Sequence, residues 1–362
     1  MDSADDNGTS LTENSEADET GLHSSQIIGA TAGLAGILGN GLVCFVMLRY
    51  RKAFRSITNN LLLHQSVVDF LLSMAMLITR LYTPWGEFYC RVPRGWLYWG
   101  FANVSTGSLM LICCDRYVAV CHPIKYRQWF SVKRVKIGLV FVWLLPTIWQ
   151  CYLVFVHVPY GASCVAIWPS DTARLSFGVA TFCWEYILPL TLIVTTYSQT
   201  ILALRKRLRA KAHQAATEPS AIAGGQPNTD STRAKKDPLR TAKVKLTITF
   251  LIVAVFFVIC WGPTEITWLL FNFGVLPGSY YASLWHLGLE TPLLCLNTCV
   301  NPFIYCLTYT HFRQHLVSAF CRRCKSNKVG DASVDNQTGN SSDPLQATTR
   351  GRGHTTAIEV NT

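Results

Sequence analysis

Charged residues are scarce in this chain. Only 15% of its 362 residues are Asp, Glu, Lys or Arg, half are hydrophobic, and the mean hydropathy is +0.24. The surface of a soluble two-domain protein of this length requires more charge, so the composition excludes that class.

Long apolar runs are present instead. Seven stretches of about 20 residues or more fit a hydrocarbon core about 30 Å thick at the helical rise of about 1.5 Å per residue. In chain order these spans are 27–49, 59–82, 94–117, 136–158, 176–204, 242–271 and 281–307. We therefore predict an all-α membrane protein, a seven-transmembrane helix bundle.

A short amphipathic helix is expected after the seventh span. Phe312, Leu316 and Phe320 recur every four residues among basic side chains, which is typical of a helix lying on the membrane surface. The chain then divides into an extracellular disordered N-terminus, the seven-span domain, the amphipathic helix and a cytoplasmic disordered tail, at 1–25, 26–308, 309–324 and 325–362.

Basic residues are almost missing from one side of the membrane. The first 25 residues contain no Lys or Arg, and all but four of the 32 basic residues follow spans one, three, five and seven. The positive-inside rule therefore predicts a multi-pass plasma-membrane protein with an extracellular N-terminus. A basic surface beside anionic membrane lipid explains the net charge of +11 without nucleic acid.

A cleavable signal peptide is also missing. No basic segment followed by an apolar run precedes residue 26, so we expect the first span to act as the signal anchor. Asn7-Gly8-Thr9 is a glycosylation sequon on the predicted outer side.

Two of the fourteen cysteines lie in predicted outward loops. Most of the others lie within spans, where a small apolar thiol is ordinary. Because the extracellular face is oxidising, Cys90 and Cys164 are expected to form a disulfide. Two free thiols are the alternative.

Ionisable residues inside the spans are few, and each needs an interaction that offsets the cost of a charge in the membrane. The third span ends in Asp115-Arg116-Tyr117. Asp115 can neutralise Arg116 in one state, and Arg116 can meet a new partner in another, which makes the pair a candidate switch. The alternative is that Arg116 only reaches toward the interface. Asp69, in the middle of the second span, needs a cation, a proton or a polar cluster.

Together these features resemble the rhodopsin-like (class A) G-protein-coupled receptors over roughly residues 27–321. The residues that carry the resemblance are Asn40, Asp69, Cys90, Asp115-Arg116-Tyr117, Trp143, Cys164, Pro189, Tyr197, Cys260-Trp261-Gly262-Pro263 and Asn301-Pro302-Phe303-Ile304-Tyr305. Their order on seven spans is specific, although each one alone is weak. The resemblance implies a receptor that activates heterotrimeric G proteins.

The resemblance also implies roles for individual residues. The G-protein switch would comprise Asp115, Arg116, Tyr117, Tyr197 and Tyr305. The toggle below the ligand pocket would comprise Phe257, Trp261, Pro263 and Pro189. A sodium pocket would comprise Asp69, Ser105, Asn297 and Asn301, whose oxygens are of the kind that a hard cation prefers. A water-filled polar cluster without an ion is the alternative for this last group.

Four departures from the family pattern lead to expectations. One is Gly262, at the variable position of Cys260-Trp261-Gly262-Pro263, which should ease bending of the sixth span. Cys90 lies 25 residues before Asp115, one more than usual, so the top of the third span should bulge or start differently. Thr106 stands where Ile or Val is usual, which alters the packing around the toggle. Lys243 stands where an acid often holds Arg116, which predicts signalling without ligand.

Two absences restrict the ligand. No lysine lies between Lys245 and Lys325, so the seventh span cannot form a retinal Schiff base, and Tyr98 stands where amine receptors have Asp. The residues assigned to ligand binding are Arg80, Tyr98, Trp99, Glu185, Glu265, Trp268 and Glu290.

Glu265 lies one turn above Trp261, and its buried carboxylate requires a basic partner, either Arg80 or a group of the ligand. An internal ion pair or a protonated Glu265 is the alternative. The chain is loosely similar to galanin- and allatostatin-like peptide receptors. We predict a neuropeptide-like ligand with a basic or amidated group. A small organic molecule or a lipid is the alternative.

Other classes fit less well. A transporter tends to show internal repeats, and none is visible, so it stays a remote alternative. The sequence contains no HExxH motif, nucleophile elbow or phosphate loop, so no catalytic motif of these kinds indicates an enzyme. Arrestin and a receptor kinase are expected partners of the tail, and Cys321 and Cys324 are candidate palmitoylation sites. No cofactor is expected apart from an allosteric sodium ion.

Overall fold

The computed structural model describes residues 6–81, 86–160, 163–217, 238–277 and 290–321. Side chains are described in these ranges except at 6–23, 160, 163, 208, 211–212, 214–217, 238–246 and 290–291. The chain separates into a large unit, residues 1–316, and a small C-terminal unit, residues 317–362.

Helices make up nearly all of the described chain. The long helices are Asp6–Arg49, Ile57–Leu81, Gly86–Cys121, Val132–Val156, Asp171–Phe182 continued by Cys183–Ile187 and Leu188–Thr217, Pro238–Asn272 and Glu290–Thr308. Among the described residues, six helices are long and apolar enough to cross a membrane, and Pro292–Thr308 is a shorter apolar helix. The predicted all-α, seven-helix bundle is confirmed, and we number its helices as spans one to seven.

The first span begins earlier than hydropathy indicated. Its helix starts at Asp6 and so includes most of the acidic segment for which we predicted disorder, whereas only Ser24–Arg49 is apolar enough to cross a membrane. Local backbone hydrogen bonds can continue a helix beyond the part that packs. The boundary at residue 25 therefore marks a change in hydropathy rather than the first helical residue.

The core lies where the spans face one another. Its largest buried side chains include Trp261, Phe257 and Tyr305. Close approach of spans one and two depends on Gly36, because a Cβ there would lie 2.2 Å from the Oγ of Ser73. Many Leu and Ile side chains on the opposite faces are exposed, as expected for helices that face lipid.

Two π-helical turns interrupt the spans. One, Cys90–Leu97, lies at the outer end of the third span. A π turn accommodates one residue more than an α turn, so it absorbs the additional residue between Cys90 and Asp115. The predicted bulge is confirmed. The second turn, Cys183–Ile187 in the fifth span, was not predicted.

A small hairpin crosses the outer end of the bundle. Strands His157–Tyr160 and Ser163–Ala166 pair antiparallel, with Pro159 opposite Cys164. Four-residue strands give too little alternation to be recognised in a sequence. Cys164 is joined to Cys90 with a Cα–Cα distance of 5.5 Å, so the predicted disulfide is confirmed.

Two short helices lie at the inner end. One, Pro123–Trp129, follows the third span, and we call it the loop helix. The other, Thr310–Phe320, follows the seventh span where an amphipathic helix was predicted. Phe312 is its buried anchor, whereas Phe320 is 69% exposed.

Candidate functional site

The ion pair at the inner end of the third span is held by two further residues. Arg116 donates from Nε to Oδ2 of Asp115 at 2.9 Å, and both side chains are buried. Thr58 of the second span donates to the same oxygen at 2.8 Å, and it also contacts the Arg116 guanidinium. Tyr126 of the loop helix donates to Oδ1 of Asp115 at 2.6 Å.

Tyr126 connects the loop helix to the switch. Burial, followed by the negative charge of Asp115, raises the pKa of the Tyr126 phenol, so the hydroxyl stays protonated and donates. Charge-assisted hydrogen bonds of this kind are the stronger ones. Asp115 is therefore held from the second span, the third span and the loop helix at once.

The other switch residues are not bonded to Arg116 in this arrangement. Tyr197 and Tyr305 are buried, at 4% and 0% exposure, and the Tyr305 hydroxyl has no hydrogen-bond partner within the described part of the chain. Tyr117 contacts His122 instead, with 3.2 Å between its hydroxyl and Nε2. In this arrangement Arg116 is held by Asp115 rather than by the tyrosines.

Asp69 lies in a compact polar cluster. Ser105 donates to Oδ1 of Asp69 at 2.6 Å, and Asn301 donates to Oδ2 at 2.8 Å. Asn297 lines the adjoining cavity, together with Ser105 and Asn301. Gln65, which sequence analysis did not select, donates to both Asp69 and Ser105. Sequence analysis indicated that Asp69 needs a cation, a proton or a polar cluster. The described residues supply the polar cluster.

Trp261, the predicted toggle residue, lies at one end of a series of aromatic side chains in contact. Trp261 is 2% exposed, and its ring centroid lies 5.9 Å from that of Phe257 and 6.4 Å from that of Trp99. Trp99 in turn meets Tyr98 edge to face at 5.3 Å. The guanidinium of Arg94 lies 6.0 Å from the Tyr98 ring centroid. Packed side chains thus lead from the outer end of the third span to Trp261.

The packing around the toggle also involves Thr106, Pro189 and Gly262. Thr106 lines the same cavity as Phe257, and its hydroxyl donates back to the carbonyl of Ala102 at 3.2 Å, so it presents a methyl group to its neighbours. Pro189 is buried in the fifth span and Pro263 is half-buried in the sixth. Gly262 leaves room for Tyr186, because a Cβ there would lie 2.7 Å from the tyrosine hydroxyl.

The outer halves of the spans bury two carboxylates. Glu185 and Glu265 are each 3% exposed. Glu185 lies in the π turn of the fifth span, and its Oε1 accepts from Nε2 of Gln150 at 2.7 Å. Glu265 lies one turn above Trp261, and the Tyr152 hydroxyl is within electrostatic reach of both carboxylates.

The remaining candidate ligand residues have different surroundings. Arg80 is 7% exposed and donates from Nη1 to the hydroxyl of Ser25 in the first span at 2.8 Å. Trp268 lies 6.2 Å from Phe271 between ring centroids. Glu290 is the first residue of the seventh helix, but its side chain lies outside the described residues.

The hairpin is attached to the third span by more than the disulfide. Arg91 donates from Nε to the carbonyl of His157 at 3.4 Å and pairs with Glu87 at 3.2 Å. Burial, followed by the charge of Arg94, lowers the pKa of His157 to about 4. His157 is therefore neutral near pH 7.

Several predicted sites fall outside the described residues. They include Cys324 and the side chains of Asn7 and Lys243. Cys321 is described as half-buried at the end of the last helix. Glycosylation, palmitoylation and the effect of Lys243 therefore stay predictions.

Sequence analysis missed several residues that bond directly to its predicted sites. Among them are Thr58, Gln65, Tyr126 and Gln150. Gln65 could have been recognised, because it lies four residues before Asp69 and so on the same helix face. The partners Thr58, Tyr126 and Gln150 come from other elements, and no spacing relates them to Asp115 or Glu185.

This combination defines a class of protein. The helical membrane bundle has a restrained buried ion pair at one end, buried acids and aromatic rings at the other, and a disulfide-linked hairpin across that second end. These are the parts of a seven-helix membrane receptor.

Comparison with known proteins identifies the family. Residues 39–305 match the family described as 7 transmembrane receptor (rhodopsin family), and the chain belongs to that family. It is 30% identical to galanin receptor type 3 of Mus musculus over 304 residues, which cover 79% of this chain and 75% of that receptor. It is 30% identical to somatostatin receptor type 4 of Rattus norvegicus over 317 residues, covering 84% and 74%. The allatostatin-A receptor of Bombyx mori is 24% identical over 302 residues, covering 78% and 75%. The protein is thus a receptor and not an enzyme, as predicted.

Proposed function

We propose that this receptor binds an extracellular peptide with a basic or amidated group and activates heterotrimeric G proteins. The carrying observation is the restrained ion pair, in which Asp115 and Thr58 hold Arg116 and Tyr126 holds Asp115. Two buried charges with two further partners form an element that would take a second arrangement if Arg116 turned toward Tyr197 and Tyr305. That turn would open the inner end to a Gα subunit.

The proposal for the ligand rests on the outer half. Relatives named as galanin, somatostatin and allatostatin receptors support a peptide. The buried carboxylates of Glu185 and Glu265 favour a ligand with a basic group. Arg80, Tyr98, Trp99, Trp268 and Glu290 are proposed to complete the pocket. Trp99 contacts Trp261 directly, so a ligand that displaces Trp99 would act on the toggle.

The orientation and processing belong to the same proposal. The acidic N-terminus would be extracellular, with glycosylation at Asn7, and the tail would be cytoplasmic. Arrestin and a receptor kinase would act on that tail. Cys321 and Cys324 would carry palmitate next to the membrane.

The test is guanine-nucleotide exchange on a panel of Gα subunits. Membranes containing wild type or Arg116→Ala are assayed first without ligand and then with a peptide library. Arg174→Ala is the matched control, because Arg174 pairs at 3.1 Å with the exposed carboxylate of Asp171, away from Asp115 and Arg116. We expect exchange that Arg116→Ala abolishes and Arg174→Ala preserves.

The outcomes separate the ligand classes. A peptide hit would support the peptide proposal, and a response only to small molecules or lipids would replace it with the runner-up. No exchange with any Gα by receptor shown to be at the cell surface, with ligand bound, would contradict G-protein activation.

A further inference from the structure

Gln65 lies between the two oxygens on which a cation in the Asp69 pocket would depend. It precedes Asp69 by one helical turn and is 2% exposed. Its Nε2 lies 3.0 Å from Oδ1 of Asp69 and 2.7 Å from Oγ of Ser105. The amide nitrogen therefore bridges a carboxylate and a hydroxyl oxygen.

The direction of these hydrogen bonds follows from the chemistry of the partners. A carboxylate only accepts, so the NH₂ end of Gln65 must face Asp69. The Ser105 hydroxyl donates to Asp69 at 2.6 Å, so its oxygen is left to accept from Gln65. Turning the amide over would place its carbonyl oxygen against two acceptors.

Asp69 is satisfied by neutral groups in this arrangement. Its Oδ1 accepts from Gln65 and Ser105, and its Oδ2 accepts from Asn301 at 2.8 Å. Three donated hydrogen bonds stabilise a buried carboxylate in the way that a bound cation would. All three groups point hydrogens, not lone pairs, at the carboxylate.

A sodium ion does not fit this arrangement of donors. To bridge Asp69 and Ser105 it would need the place of the Gln65 NH₂ group and oxygen atoms at about 2.3–2.6 Å, by analogy with other hard cations. The carbonyl Oε1 of Gln65 is buried and has no partner among the described residues. The adjoining cavity, lined by Gln65, Ser105, Asn297 and Asn301, has room for about one water molecule.

We propose that the Gln65 amide takes the place of the cation in this receptor, so that sodium does not stabilise its resting state. Gln65 acts as a tethered neutral donor that holds Asp69 and Ser105 together across the second and third spans. The proposal does not depend on which ligand or G protein the receptor uses.

The test is the thermal unfolding of purified full-length receptor in nanodiscs, followed by tryptophan fluorescence. The Tm is measured in NaCl and in equal concentrations of KCl, without ligand or G protein. We expect the wild type to unfold at the same Tm in both salts. We expect Gln65→Leu to have a lower Tm in KCl, because Asp69 loses a donor, and to regain stability with sodium in a saturable way.

Two controls isolate the site. Gln150→Leu removes another buried glutamine, bonded to Glu185, and is expected to lower the Tm equally in both salts. Adding Asp69→Asn to Gln65→Leu is expected to abolish the sodium response. Gln65→Met, which keeps the chain length but lacks the amide, serves if Gln65→Leu does not fold.

Either of two results would overturn the proposal. One is a saturable sodium-specific rise in the Tm of the wild type. The other is a Gln65→Leu or Gln65→Met variant that folds and unfolds at the same Tm in sodium and in potassium.

Discussion

Single buried charges in this receptor are held by neighbours that no motif includes. The Asp115 carboxylate depends on Thr58 and Tyr126, and the Glu185 carboxylate on Gln150. A buried charge without a partner is strongly unfavourable. Removing one of these neighbours therefore destabilises the protein more than the loss of the neighbour's own side-chain atoms would indicate.

Loss of the Tyr126 hydroxyl should release the switch. Tyr126→Phe removes one charge-assisted hydrogen bond to Asp115, worth about 1.5–3 kcal/mol. We expect ligand-free nucleotide exchange to rise by on the order of tenfold or more. Tyr50→Phe is the matched control, since the Tyr50 ring meets that of His315 and Tyr50 is not part of the proposed switch. Equal basal exchange in wild type and Tyr126→Phe would show that Tyr126 does not restrain the switch.

Loss of Gln150 should destabilise the bundle through Glu185. Gln150→Leu removes the donor to a buried carboxylate, and we expect the free energy of unfolding to fall by about 1–3 kcal/mol. The double variant Gln150→Leu with Glu185→Leu should recover most of this loss, because two apolar side chains then face each other. Additive effects in the double-mutant cycle, measured by thermal unfolding, would contradict a direct interaction.

Irregular turns and loops determine how the spans present these residues. The π turn at Cys90–Leu97 fits an additional residue in the third span, and the π turn at Cys183–Ile187 contains the buried Glu185. The disulfide joins the hairpin to the third span. Function at this scale depends on departures from regular helix.

The cytoplasmic end of the sixth span should hold Arg116 only weakly. Lys243 stands where the family often has an acid, so we expect basal exchange clearly above that of Arg116→Ala. Lys243→Glu would supply an ion-pair partner for Arg116 and should lower the basal rate several-fold. Lys245→Glu, on a different helix face, is the control. Wild-type basal exchange no higher than that of Arg116→Ala would refute this expectation.

Acid should loosen the hairpin through His157. Its pKa is lowered to about 4, so the unfolded state binds the proton more readily between about pH 6.5 and 4. The stabilising contribution is complete above that window and is lost as the pH falls through it. We expect the Tm of the wild type to fall more steeply across this window than that of His157→Gln. Parallel pH profiles for the two proteins would be inconsistent with this role.

The whole molecule is stabilised by one covalent link between its outer loop and its third span. The disulfide joins residues 74 apart in sequence, and closing a loop of that length is worth about 4 kcal/mol in the chain-entropy account. We expect Cys164→Ser to lower the Tm by several degrees, and reduction of the wild type to do the same. Ser163→Ala, at the adjacent position, is the control, and an unchanged Tm in Cys164→Ser would oppose this view.

The composition and the order of residues predicted the main architectural features of this receptor. Span number and the disulfide follow from hydropathy and from cysteine placement, which are properties of the chain alone. The bulge near Cys90 followed from counting residues, since one extra residue must be accommodated somewhere. Trp261 and Phe257 were selected through the resemblance to the family, and they lie on one helix, one turn apart.

Contacts between helices could not be predicted in this way. The sequence alone predicted seven membrane spans and the side of the membrane that the basic residues face, and it indicated which buried ions require partners. Only the tertiary structure decided the partners: Thr58 and Tyr126 for Asp115, and Gln150 for Glu185. The physical reason is that side-chain periodicity specifies the face of one helix, whereas a hydrogen bond between spans depends on how two helices are rotated and shifted against each other.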